Sequence, residues 1–267
     1  MRRRLTLALL IVLAVFFAPL GISVATYFIA DAEADDWRTA RRDSAGIAPP
    51  VAVEQAGIQG YCARAYRWRG AFGEHCWIAA KPTGTEVWTR FEVMGWQLRR
   101  GGQAIRIDAG SPDGYWYGAR PTLLRAVQGG AEIDALIERL HAASENYPHK
   151  AEYRIWPGPN SNTYIAHLGR AVPELSLELP PTAIGKDYIP QGGLFARPAS
   201  GSGLQFSLAG LFGLLDSPQE GVEMNVLGLS AGIDLSPPAL KLPGLGRLGA
   251  PSQTLDRPGE PAAQEAG

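Results

Sequence analysis

Apolar residues follow three rhythms along this chain, and each predicts a different element. From Leu5 to Ala30 no charge interrupts them, and Met1-Arg2-Arg3-Arg4 stands in front. A helix of that length, at ~1.5 Å rise per residue, exceeds the ~30 Å hydrocarbon core of a bilayer. Pro19 and Gly21 fall inside it, and membrane helices tolerate both. Residues 1–34 therefore read as a membrane anchor that places residues 5–30 in the lipid bilayer. A cleaved export signal is the competing reading, because Ala30-Asp31-Ala32 and Ala32-Glu33-Ala34 offer small residues at the spacing a signal peptidase reads. The run is longer than the ~7–15 residues of a signal's apolar region, which favours a retained anchor. The three arginines belong on the inner side, so the rest of the chain is expected on the periplasmic side of a bacterial-type inner membrane.

The second rhythm has period two. Segments 57–68, 74–81 and 86–94 are rich in aromatic and β-branched residues, and Pro82-Thr83-Gly84-Thr85 reads as a hairpin loop between the last two. A short strand is expected at 103–108. The third rhythm is helical: Ile133, Leu136, Ile137 and Leu140 recur at i, i+3, i+4 and i+7 and predict a helix from Ala131 to Glu145. Tyr147-Pro148 ends it, Ala151 to Trp156 is strand-like, and a second helix is expected after Pro157-Gly158-Pro159, with Tyr164, Ile165 and Leu168 on one face. Beyond Pro180-Pro181, Leu204 to Leu215 and Val222 to Ile233 alternate apolar with polar residues around the turn 216–221. They predict a two-stranded hairpin whose apolar face packs on the domain or lies against the bilayer surface, with packing on the domain the preferred expectation.

These elements make an α+β domain, antiparallel strands with two main helices, behind an N-terminal transmembrane helix. Residues 35–56, polar and then rich in Pro and Ala, read as a linker, 57–249 as a single exported domain, and 250–267 as a disordered tail. Composition changes little: 46% of residues are hydrophobic and 19% charged, enough for a core. With 25 basic against 26 acidic side chains and no long basic tract, nucleic acid is not an expected partner. Cys62 and Cys76 lie in neighbouring strand-like segments, open either to a cross-strand bridge or to two buried thiols. Two cysteines and four histidines show no metal-ligand spacing, and no cofactor is expected.

Candidate chemistry concentrates at Trp156-Pro157-Gly158-Pro159-Asn160-Ser161-Asn162-Thr163. A rigid turn there delivers Ser161 to the first turn of a helix, where free N–H groups and the helix dipole stabilise an anion. The same residue types are preferred helix caps, so capping is the bland alternative. His75, in a strand that otherwise reads as buried, is the candidate base for Ser161. Cys76 is excluded as its partner, because adjacent strand side chains face opposite ways. If Lys81 and Glu86 close the hairpin loop, His75 lies opposite Glu92, which becomes the candidate orienter, with Arg90 beside it. Trp156, Asn160 and Asn162 flank the serine as binding candidates. The run Tyr115-Trp116-Tyr117, with Trp68, Trp77, Trp88 and Trp96, is a candidate surface for stacking on a ligand.

Four stretches carry a resemblance: Trp68 to Phe72, His75 to Ala79, Trp156 to Thr163, and Leu179-Pro180-Pro181-Thr182-Ala183-Ile184-Gly185-Lys186-Asp187-Tyr188. In these the chain, from about Trp37 to Gly249, resembles the bacterial family called domain of unknown function 3750, which implies no established activity. More distantly, a strand His, a hairpin and an Asn-x-Asn helix start are similar to permuted papain-fold enzymes, the deubiquitinase-like and lecithin:retinol acyltransferase-type proteins. That likeness implies a papain-like fold with His75 as base and Ser161 in the nucleophile's place, where those enzymes carry a cysteine. A hydroxyl is far less readily ionised than a thiol. Two functions follow: a Ser-His hydrolase or acyltransferase acting on an amide or ester of an envelope small molecule, peptide or lipid, or a non-catalytic binding or scaffold domain.

Overall fold

The protein is described by a computed structural model over residues 2–29 and 36–252; the expected cleavage motifs and residues 253–267 of the expected tail lie outside the described residues. Helix α1 (Arg2–Ile29) runs unbroken through Pro19. Its portion Leu10–Ile29, with a mean hydropathy of 2.2, is long and apolar enough to cross a membrane. The C-terminal half of α1 is built into the rest of the fold. The Ser23 hydroxyl shares its proton between the carbonyls of Ala71 (2.9 Å) and Gly244 (2.8 Å), and Tyr27 donates to the Arg67 carbonyl at 2.8 Å. Phe16, Ser23 and Tyr27 are buried.

The segment expected to be a linker is likewise part of the fold. The Asp113 carboxylate gathers the Ser44 hydroxyl and the N–H groups of Ile47 and Ala48. Backbone bonds from Tyr115 to Asp43 and from Ala45 to Asp113 fasten the same stretch. Local polarity suggested a free chain, but these polar groups find partners that lie about 70 residues on.

Five strands form the first sheet: β1 (Ala56–Arg64), β2 (Glu74–Lys81), β3 (Thr89–Val93), β4 (Ile105–Ala109) and β5 (Thr122–Gly129), antiparallel in the order β4-β3-β2-β1-β5. One face carries Ile58, Cys62, Cys76, Ile78 and Phe91 into the main core, together with residues of α2 (Ala131–Glu145) and α3 (Ser161–Ala171). Each fully buried side chain of the Ile or Phe class contributes roughly 1.5–3 kcal/mol there. Tyr61, Ala63 and Trp77 form a smaller cluster on the other face. Cys62 and Cys76 are direct cross-strand partners and are joined by a disulfide.

Two expectations are corrected in this region. The β2–β3 register is Ile78 to Phe91 and Ala80 to Thr89, two residues looser than a closure at Lys81 and Glu86 would give. The ammonium of Lys81 collects the carbonyls of Ala52, Gln55 and Thr85, and Asp134 holds Thr83, so the loop follows these partners instead of closing tightly. An even shift preserves the face of every side chain but moves Glu92 from the His75 position to the Trp77 position. The strand expected at 151–156 does not form; Arg154 instead donates to the Pro159 carbonyl across a turn.

The second sheet is a seven-stranded antiparallel meander of β6 (Phe195–Ala196), β7 (Leu204–Leu208), β8 (Phe212–Ser217), β9 (Gly221–Val226), β10 (Leu229–Leu235), β11 (Pro238–Leu242) and β12 (Gly246–Gly249). Each expected strand of the hairpin is in fact two. Ala209-Gly210 and Leu227-Gly228 both have positive φ at two successive residues, the requirement of the tightest hairpin turns. The alternation is as read, yet its polarity is reversed. Gln205, Ser207, Glu223, Asn225, Ser230, Asp234 and Lys241 are buried, while Leu204, Leu208, Phe212, Leu214, Val222, Ile233 and Leu240 are exposed.

Buried charges make the inward face possible. Lys186, Glu223, Lys241, Glu178, Arg247 and Asp234 form a chain of alternating sign, with contacts of 2.5, 2.7, 2.6, 3.2 and 2.7 Å. Burial opposes the charge on Lys186, but Glu223, Asp187 and Glu220 outweigh it and raise its pKa. Burial likewise opposes the Glu223 carboxylate, and Lys186 and Lys241 outweigh it and lower its pKa. Removing one partner strands another's charge, so Lys241→Met is expected to cost about 3–5 kcal/mol in denaturant unfolding. Leu214→Ala on the outward face is expected to stay within about 0.5 kcal/mol. The opposite ranking would mean that the apolar face is the core.

Candidate functional site

The string Trp156 to Thr163 folds into the turn that starts α3, and its polar atoms are largely used there. Asn160 is the N-cap: its side-chain oxygen accepts from the N–H groups of Asn162 (3.0 Å) and Thr163 (3.1 Å), while Thr163 Oγ1 accepts from the Asn160 N–H. This is a full capping box. Asn160 Nδ2 also donates to the carbonyls of Ile155 and Ile184. Gly185 passes so close that a Cβ there would lie 2.4 Å from Asn160 Nδ2, at φ +98°.

Asn162 has a different task. Ladder pairing between β2 and β3 stops at Ile78, which leaves the start of β2 without a strand on that side. The Asn162 amide supplies the missing bonds, accepting from Cys76 N–H at 3.1 Å and donating to the Glu74 carbonyl at 2.9 Å. A second donation goes to Ile184. One side chain therefore joins α3, the sheet and the loop that carries Lys186. Ser161, at the first position of α3, is buried.

His75 lies on the other face of β2. Cys76, its neighbour, enters the core with Tyr164 and Ile165 of α3, so strand alternation directs His75 toward Trp77. Its ring stacks on Trp116 with centroids 3.5 Å apart and planes 8° apart. Thus Trp116, a candidate for ligand stacking, already has a ring against it. Burial first, and the Arg90 cation second, hold the imidazole pKa well below 6.5. Nε2 is buried without a hydrogen-bond partner among the described residues. Glu92 shares that face but pairs with Arg90 at 2.8 Å and Arg106 at 3.8 Å, and Arg90 lies 4.3 Å over Trp77. A triad's orienting group stabilises the base in its charged form, whereas the charge that acts on His75, the Arg90 cation, opposes that form. Trp156 is half exposed and donates from its indole to the Leu227 carbonyl, which ties the turn to the second sheet.

Residues 55–188 match a family described as a protein of unknown function (DUF3750). The chain belongs to this family. The DUF3750 match takes in the first sheet, α2, α3 and the Ile184–Asp187 loop, and it ends before the second sheet. No curated protein and no solved structure matches the chain, and the papain-like likeness gains no support from either. Three of the four stretches that carry the resemblance, His75 to Ala79, Trp156 to Thr163 and Leu179 to Tyr188, are joined by the Asn162 amide into one latch. Lys186 and Asp187, at its edge, reach Glu223, Asn225 and Ser230 of the second sheet.

A cleft of about 330 Å³ between the sheets was not anticipated from the sequence. Arg64, Glu74, Glu178, Thr182 and Arg247 line it beside the disulfide. Burial raises the pKa of Glu74, which accepts from Thr182 at 2.5 Å. Glu178 is buried, and its Oε2 has no hydrogen-bond partner among the described residues. A glutamate set between buried Leu177 and Leu179 was the available signal. Among the described residues no cluster of His, Cys, Asp and Glu could hold a metal.

His75 supplies a pH test of this geometry. Its folded pKa is below the unfolded value of 6.5, so between the two only the unfolded chain takes up the proton. The stability it contributes is present above pH 6.5 and is lost as pH falls toward the folded pKa. Denaturant titrations should show wild type losing stability faster than His75→Phe below pH 6.5, by up to about 1.4 kcal/mol per pH unit. Parallel curves would mean that His75 is solvated or paired with an anion.

Proposed function

We propose that this protein is a membrane-anchored binding or scaffold domain, held on the periplasmic side of a bacterial inner membrane and non-catalytic at Ser161. One observation carries the reading: α3 packs through Tyr164 and Ile165 with Cys76 on one face of β2, while His75 stacks on Trp116 at the other face, away from the body of the helix that Ser161 begins. The alternative, a hydrolase or acyltransferase using Ser161, His75 and Glu92, needs all three on one side. Several features support the setting. Helix α1 is apolar enough to span and is fastened to the domain at Ser23 and Tyr27, so it fixes the domain against the bilayer. Arg2, Arg3 and Arg4 favour the inner side, and the Cys62–Cys76 bridge suits an oxidising compartment. The cleft between the sheets is the proposed ligand site. Glu178 Oε2 there favours a ligand with an amine or hydroxyl donor, such as the polar part of an envelope small molecule, peptide or lipid.

The test uses the serine itself. Cys62 and Cys76 are bridged, so Ser161→Cys introduces the one free thiol. It should alkylate with iodoacetamide near neutral pH no faster than an ordinary cysteine of pKa ~8.5, and adding His75→Ala should leave the rate unchanged. Fast alkylation that slows on losing His75 would establish a nucleophile–base pair and the hydrolase reading.

A further inference from the structure

The reversed polarity of the second sheet leaves a broad apolar surface to be accounted for. Strand register puts Leu204, Phe206 and Leu208 of β7 on one face with Phe212 and Leu214 of β8, and Val222, Met224 and Val226 of β9 on that face too. The same face continues through Ile233 and Leu235 of β10 and Leu240 of β11 to Leu248 of β12. Leu214 is 51% exposed, Leu235 76% and Phe195 63%. Asp216 is the one charged residue at these outward positions of β7–β11. Seven strands at ~4.8 Å spacing and ~3.3 Å per residue give a surface of roughly 600 Å², at the upper limit of what a soluble monomer exposes.

The neighbour of this surface indicates what covers it. Helix α1 packs against β10 and β11. Ala231, an outward position of β10 by the same alternation, is buried, and Gly244 beyond β11 meets Ser23 of α1. The segment apolar enough to span a bilayer thus adjoins the exposed apolar face, and the two form a continuous apolar exterior around a charged interior. Lipid is the solvent in which that arrangement is stable, because exposed leucines lose nothing there and buried ion pairs stay shielded. Strands of at most seven residues reach no more than ~23 Å, short of the ~30 Å core. Their open edges also need headgroups or water, so the sheet enters one leaflet and does not span.

We infer that the outward face of the seven-stranded sheet is a lipid contact, inserted into the acyl-chain region of the leaflet from which α1 emerges. This rests on α1 crossing that membrane. The experiment reconstitutes the full chain in phosphatidylcholine vesicles with an environment-sensitive fluorophore on a single introduced cysteine. Leu214→Cys and Leu235→Cys probe the face, and Glu86→Cys, exposed on the first sheet's loop, is the control. The native disulfide stays closed during labelling. The two face probes should shift to the blue and be quenched by lipids carrying doxyl groups on their acyl chains, while the control does neither. Carbonate-resistant protein whose face probes report water overturns the lipid contact and leaves the anchor standing. Probes shielded but not quenched by doxyl lipid also overturn it, in favour of a second copy or a protein partner. Protein released by carbonate overturns the anchor, and the lipid contact with it.

Discussion

Among the described residues, every buried charge has an opposite charge or a hydrogen-bond network against it, and the placement of the second sheet depends on that condition. A lone buried carboxylate or ammonium costs several kcal/mol, whereas an alternating chain of them divides the penalty. Lys186, Glu223, Lys241, Glu178, Arg247 and Asp234 make such a chain, and Asp187 adds bonds to Gln205, Asn225 and Ser230. Glu178, Lys186 and Asp187 lie within the DUF3750 match; their partners on the second sheet lie beyond it. The interface between the 178–187 segment and the second sheet is therefore polar, directional and dependent on register, unlike the interface between the first sheet and its helices.

The polar interface determines where apolar surface must go. A strand that alternates has two unlike faces, and once the polar face is taken up by the ion chain, the apolar face is outward. Helix α1 removes part of that exposure and is itself apolar enough to cross a membrane. Helix α1, ion chain and outward leucines thus form one arrangement, with charged partners inside and apolar side chains outside. Within the first sheet the logic is the usual one, with aliphatic side chains and the disulfide inside and aromatic rings closing the other face.

The candidate site shows how a sequence motif with a catalytic look can be structural. Asn160 and Asn162 sit where a papain-like reading wants them, but their amides are consumed, one capping α3 and the other completing the edge of β2. His75 is buried in a strand, as the apolar residues around it predict. Its surroundings, Trp116 and the Arg90 cation, come from segments distant in sequence and favour the neutral ring. Capping was legible as the preference of Asn at such positions. The substitution of a side chain for a missing strand was not, because it depends on where β3 stops.

Local regularities were fixed by the sequence itself. The unbroken apolar run of α1, the helix 131–145, the strand 74–81, the alternation in 204–233 and the start of α3 each follow from the period of apolar residues and from caps within a few positions. These depend on backbone geometry that any chain of this pattern shares. Tertiary structure alone decided which of two unlike faces points inward, whether residues 36–55 hang free or lie on the sheet, and which histidine meets which residue. Period specifies that a strand has two faces; what covers each face depends on charges and surfaces brought together from elsewhere in the chain.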